Sequence, residues 1–247
     1  MGRWSRQAAY EFLSWIEPQP NLRWLEMGCG TGALTEAILE QADPNSIMAC
    51  DPSEALLGIA RERIRDPRVS FQVAGAASFQ AHPSKLDVCA SGLVLNFIDD
   101  PKTAVGSIAQ KLTDGGLVAA YVWDYAQGME FLRVFWDAAV ALDSNAADLD
   151  EGKRFPLCSP APLRSVFESV GLENVEVTSL ETITRFHSFS DYWTPFLGGT
   201  GPAPSYVSSL GDDERQRLEK YLRARLSPEG DGSLVLTARA WGVRGST

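Results

Sequence analysis

The chain has 247 residues, 45% hydrophobic and 22% charged, which fits one soluble globular domain with a substantial core. Its net charge of −10 speaks against a phosphate-backbone partner such as DNA or RNA and, more weakly, against a strongly anionic substrate. No apolar run reaches membrane-spanning length and no secretory leader opens the chain, so a cytoplasmic protein with no membrane partner is expected.

The four cysteines are widely spaced with no C-x-x-C pair and read as reduced thiols. The two histidines, His82 and His187, have no partner at ligand spacing, so no metal site is expected.

In chain order, Ala8, Ala9, Phe12, Leu13 and Ile16 give residues 5–17 one apolar helical face, ended by Pro18 and Pro20. A buried strand over 22–27 runs into Gly28-Cys29-Gly30-Thr31-Gly32 and a helix over about 32–42. A strand over 47–51 ends at Asp51. Pro52 and Ser53 then open a helix that Ser53 caps, with Leu56, Leu57, Ala60 and Ile64 facing inward. Strands over 69–74 and 86–91 follow, with a short helical or loop piece at 76–83 between them. Asp100-Pro101 starts a helix with Ala104, Ile108 and Leu112 inward, and Asp114-Gly115-Gly116 reads as a turn before a strand over 117–123. A helix over about 161–170, an alternating strand through Val175, Val177 and Leu180, and a strand over 234–243 complete the frame. Apolar strands alternating with helices predict an α/β, doubly wound, parallel sheet with helices on both faces.

Two insertions interrupt this frame, so residues 1–247 are expected to be one domain with a helical cap from 124–160 and 188–230. The first carries the stripe Met129, Leu132, Phe135, Trp136, Ala139 and Val140. The second carries an aromatic stretch over 186–196, a Gly/Pro loop over 198–204 and a charged helix over 212–226. Both leave from carboxyl ends of strands, the face on which such sheets bind ligands, and the helix start at Arg3 and Trp4 is expected there too. Each stripe also reads as ordinary core packing.

The glycine stretch organises the chain. Three glycines at alternate positions allow a tight turn and close approach of a ligand to the backbone, and the following helix points its amino end at that ligand. Two chemistries fit. Gly28-x-Gly30-x-x-Ala33, with Asp51 to hold a ribose, satisfies the dinucleotide pattern. In the longer string Glu26-x-Gly28-x-Gly30-x-Gly32, Glu26 would repel a pyrophosphate. That string resembles the first motif of the class I S-adenosylmethionine-dependent methyltransferases, of the small-molecule, methyltransferase-11/25-like type. The resemblance is motif by motif over residues 1–125 and by layout alone beyond.

What the resemblance implies is a Rossmann-like seven-stranded sheet in the order 3-2-1-4-5-7-6 with the last strand antiparallel, and S-adenosylmethionine as cofactor. Glu26 would lie near the methionine ammonium, Gly28, Gly30 and Gly32 under the cofactor, and Asp51 on the ribose hydroxyls. Pro52 and Ser53 would line the site, and Leu56 would cover the adenine. The third motif departs from the family pattern: Gly75-Ala76-Ala77 has no acidic residue for the adenine amino group, leaving Ala76 and Ala77 to hold the base by backbone and apolar contact. Ser91 and Trp4 join the cofactor set, and Arg3 or Arg6 would pair with the cofactor's carboxylate.

Asn96, Trp123 and Trp193 are placed on the substrate side, with Tyr10, Tyr125, Tyr192 and Phe196 as further walls of an aromatic pocket. The expected reaction is in-line methyl transfer to a small apolar or aromatic molecule, carried by placement and desolvation. A base is needed only if the acceptor must lose a proton. His187 is the candidate, although a lone histidine on an alternating strand also reads as structural. A monomer or homodimer is expected, and Asp51→Ala is expected to weaken cofactor binding with the fold intact. Two other functions remain open at this point. A nicotinamide-dependent oxidoreductase shares the glycines and Asp51, although no tyrosine has a lysine four residues later. A non-catalytic cofactor-binding protein on the same fold would need no catalytic side chain.

Overall fold

A computed structural model describes residues 2–75, 85–198 and 201–247, without the side chain of Arg3. The expectations for 76–83, including Ala76, Ala77 and His82, lie outside the described residues, as do those for Arg3 and for positions 199–200. The strands are Arg23–Met27 (β1), Ser46–Asp51 (β2), Val69–Val73 (β3), Leu86–Gly92 (β4), Leu112–Trp123 (β5), Glu173–Phe186 (β6) and Leu234–Ser246 (β7). The helices are Gly2–Ile16 (α1), Ala33–Gln41 (α2), Glu54–Arg63 (α3), Pro101–Ala109 (α4), Glu130–Leu142 (α5), Glu151–Arg154 (α6), Pro160–Ser169 (α7), Phe189–Gly198 (α8), Pro202–Ser209 (α9) and Asp212–Arg225 (α10).

The seven strands form one sheet in the order β3-β2-β1-β4-β5-β7-β6. The pairs β3–β2, β2–β1, β1–β4 and β4–β5 are parallel. β7 runs against β5: Thr247 exchanges backbone hydrogen bonds with Gly115 and Gly116, while Asp124, just past the other end of β5, donates its amide to the Arg239 carbonyl. Four consecutive residues of β1, Trp24 to Met27, are buried, so both faces of the sheet are covered there.

The chain divides into two compact units. The first comprises Met1–Val122, Ser159–Leu180 and Ala240–Thr247; the second comprises Trp123–Cys158 and Glu181–Arg239. In the first unit the apolar face of α1 packs on α2, and Phe12 meets the Tyr121 ring of β5 at 4.8 Å. α4 packs on α7. Ser53 caps α3 by accepting from the Leu56 backbone, and Asp100 caps α4 by accepting from Thr103.

In the second unit the aromatic stripes of the two insertions form one core. Phe135 of α5 stacks on Phe196 of α8 at 4.5 Å, and Tyr192 donates to the Phe131 carbonyl at 3.0 Å. Asp124 is held by Arg239, and Asp150 by Arg133.

Four local expectations are corrected. Asp114-Gly115-Gly116 lies inside β5 as a bulge, because the register moves from Leu86↔Leu112 to Val88↔Leu117 while the end of β7 pairs along it. Leu56 is 38% exposed on α3, whereas Leu57 and Ala60 take the inward positions. Val140 is exposed at the edge of its stripe. Residues 202–204 form the first turn of α9, where Pro202 suits a position whose amide has no helical partner. Phe135→Ala is expected to cost about 3–5 kcal/mol, read as a fall in the urea midpoint, because it empties the centre of the aromatic core.

Candidate functional site

Gly28, Gly30 and Gly32 all have positive φ, at 74°, 55° and 90°. The Gly28 and Cys29 amides both donate to the Cys50 carbonyl, at 2.7 and 2.9 Å, which binds the turn to the end of β2. A Cβ on Gly28 would come within 2.4 Å of Val94 Cγ2, and one on Gly32 within 2.5 Å of Ile64 Cδ1. On Gly30 it would meet nothing within 4 Å, so that glycine leaves backbone open to an approaching ligand.

Asp51 stands beside it, 6% exposed. One carboxylate oxygen accepts from the Gly30 amide at 2.9 Å and the other from the Ser53 amide at 2.9 Å. The same carboxylate therefore fixes the glycine turn and the start of α3. Asp51→Ala is therefore expected to cost stability as well as cofactor affinity.

Glu26, at the end of β1, is 1% exposed and accepts a hydrogen bond from Thr35 Oγ1 of α2 at 2.5 Å. Burial pushes its carboxyl from an ordinary value of 4.5 up to about 7; the Thr35 hydrogen bond opposes this and the nearby Asp51 charge adds to it. Burial likewise raises the thiols of Cys29 and Cys89, and lifts that of Cys50 to about 12, so they act as packed apolar groups at neutral pH.

Ser91, at the end of β4, donates to the Met27 carbonyl at 3.1 Å. Beyond it Leu93 has a φ of 63°, and a 3-10 turn over Leu95–Phe97 carries Asn96. The Asn96 amide nitrogen is buried with no hydrogen-bond partner among the described residues. A cleft of about 590 Å³ opens beside the turn, lined by Met27, Gly28, Pro52, Gly75, Val94 and Phe97, and on its α4 side by Asp99 and Asp100.

The structure thus gathers Glu26, Gly28, Gly30, Gly32, Asp51, Pro52, Ser53 and Ser91 around the carboxyl ends of β1, β2 and β4. Other candidates are engaged within their own unit or exposed. Arg6 pairs with Glu40 at 2.7 Å and donates to the Tyr10 hydroxyl at 3.0 Å, so α1 and α2 use both side chains. Trp4 is buried in α1. Trp123 and Trp193 are buried in the second unit, with Tyr125, Tyr192 and Phe196. His187 is exposed, and its backbone amide donates to Asp191 at 3.0 Å at the start of α8.

Sequence reasoning missed Thr35. Its signal was a threonine on the inward face of α2, among Leu34, Ala37 and Ile38. Among the described residues no group of His, Cys, Asp and Glu is arranged to hold a metal, and no helix is long and apolar enough to cross a membrane.

A family model described as a methyltransferase domain matches residues 25–120, the segment that carries this site. The trans-aconitate 2-methyltransferase of Agrobacterium fabrum is 24% identical over 234 residues, covering 92% of this chain and 88% of that protein. The malonyl-[acyl-carrier protein] O-methyltransferase of Chlorobium luteolum is 36% identical over 101 residues, covering 38% of this chain and 37% of that protein. Apart from the Agrobacterium protein, the matched stretches span 30–58% of the relatives' own length.

In fold, the chain is similar to the Haemonchus contortus phosphoethanolamine N-methyltransferase 2 solved with S-adenosylhomocysteine. The TM-score is 0.60 at 15% identity, covering 98% of this chain and 52% of that one.

The raised Glu26 carboxyl gives a stability signature that needs no ligand. The fold favours its protonated form, so the stability present below pH 4.5 is lost as pH rises through about 7. Glu26→Gln is expected to raise the unfolding free energy at pH 8 by on the order of 3 kcal/mol, read as a higher urea midpoint, and to change it little at pH 4.5.

Proposed function

We propose that the chain is a class I S-adenosylmethionine-dependent methyltransferase that methylates a small carboxylic acid on a carboxylate oxygen. S-adenosylmethionine, the cofactor of the family, supplies an electrophilic sulfonium methyl group. The residues present fit it. Glu26 would take the ammonium of the methionine part, Asp51 the ribose hydroxyls, and the apolar cleft beside Pro52 the adenine. The open side of Gly30 leaves the backbone bare beneath. This fit, together with the family, sets the nicotinamide reading aside.

The observation that carries the choice of acceptor is Asn96. A buried amide donor without a partner costs about 1–3 kcal/mol, and an accepting oxygen on a substrate would relieve it. The Asn96 amide thus suits a carboxylate better than an apolar ring. Tyr10 is engaged with Arg6 on α1, and the other aromatic side chains expected to form an apolar pocket are buried in the second unit, so they give that expectation no support. A carboxylate is already ionised at neutral pH and needs no general base, which agrees with the exposed position of His187. The relatives named for trans-aconitate and malonyl-acyl-carrier protein also act on acids. The net charge of −10 favours an acid with few charges over a polyanion.

Two measurements test this. Asp51→Ala is expected to weaken S-adenosylhomocysteine binding about a hundredfold in calorimetric titration, since two charge-assisted hydrogen bonds to the ribose are lost. Unchanged affinity would move the site elsewhere. Supplied with a panel of small acids, phenols and amines, the protein is expected to release S-adenosylhomocysteine with acids alone. The product should lose its methyl group as methanol in mild base. A base-stable product would rule out the ester.

A further inference from the structure

We propose that Asp99 is the residue that reads the adenine amino group and so sets the cofactor's base specificity. This rests on S-adenosylmethionine being the cofactor. From Ala74 through Ser84, the stretch after β3, the sequence has no Asp or Glu, so the base finds no carboxylate there.

A base attached to a ribose held at Asp51 would lie near Pro52, the next residue, and Pro52 lines the cleft. Two carboxylates, Asp99 and Asp100, stand on that cleft's α4 side. Asp100 is committed to the helix, accepting from the Thr103 amide at 3.0 Å and from the Thr103 hydroxyl at 2.5 Å. Asp99, the residue before it, is exposed and makes no hydrogen bond or ion pair among the described residues. Of the two carboxylates on the α4 side, it is therefore the one free to accept from a ligand.

The chemistry is selective. The 6-amino group of adenine donates two hydrogen bonds and the 6-oxo group of hypoxanthine donates none. A carboxylate accepts from the first and repels the second. The arrangement at this cleft thus replaces an acid on the β3 side with one on the α4 side.

The test is calorimetric titration of the purified protein and of Asp99→Asn with S-adenosylhomocysteine and with S-inosylhomocysteine, which carries the 6-oxo base. The unmodified protein is expected to prefer the adenine form by about tenfold or more. In Asp99→Asn the affinity for S-adenosylhomocysteine falls about tenfold and the preference nearly disappears, because a carboxamide both donates and accepts. Asp99→Ala is a second variant, expected to lose the same preference. Both variants are expected to keep the thermal midpoint, since Asp99 supports nothing in the fold. An unchanged preference in either folded variant overturns the assignment of Asp99. Failure of the unmodified protein to bind S-adenosylhomocysteine overturns the cofactor assignment itself, and this one with it.

Discussion

A carboxyl group shut away from water at the end of β1 is the constraint on which the site depends. Glu26 is 1% exposed, accepts hydrogen bonding from Thr35, and lies close enough to Asp51 to feel its charge. An ionised carboxylate in such a place is costly unless a cation or further donors arrive. The fold therefore carries a standing preference for a positively charged partner, at the place where a methionine ammonium is proposed to sit.

The second acid plays a different part. Asp51 is almost as buried as Glu26, but backbone amides of Gly30 and Ser53 already occupy its two oxygens. It orders the glycine turn and the start of α3 before any ligand arrives. Each carboxylate oxygen has a second lone-pair direction left for a ribose hydroxyl. Such a site loses little further freedom on binding, which favours affinity. The unpaired Asn96 amide, on the turn after β4, is the third polar group whose cost a ligand would offset.

Most of this was legible in the sequence because it depends on local rules. Alternation of strands and helices gave the sheet, and the glycine spacing together with Asp51 gave the turn and its partner strand. Caps at Ser53 and Asp100 fell where a side-chain acceptor precedes a helix. The misses depend on tertiary partners. The glycines before Leu117 look like a turn until the end of β7 pairs along them. Pro202 to Pro204 look like a loop, although a proline fits a first helical turn. Aromatic stripes do not announce whether they line a pocket or fill a core, and here Phe135 and Phe196 stack on each other. Arg6 looked free for a ligand because Glu40 is 34 residues away in sequence. Thr35 escaped notice for the same reason, since only the fold brings it to Glu26.

The most direct test of the central claim is the proton balance of cofactor binding. S-adenosylhomocysteine is titrated into the protein at pH 6.5 in two buffers of different ionisation enthalpy. With the free Glu26 carboxyl raised to about 7, most molecules hold that proton before binding. If Glu26 becomes the partner of the ammonium, binding expels a large fraction of one proton, and Glu26→Gln abolishes the release. Binding with the same heat in both buffers, or with a release that persists in Glu26→Gln, would contradict the placement of the ammonium at Glu26.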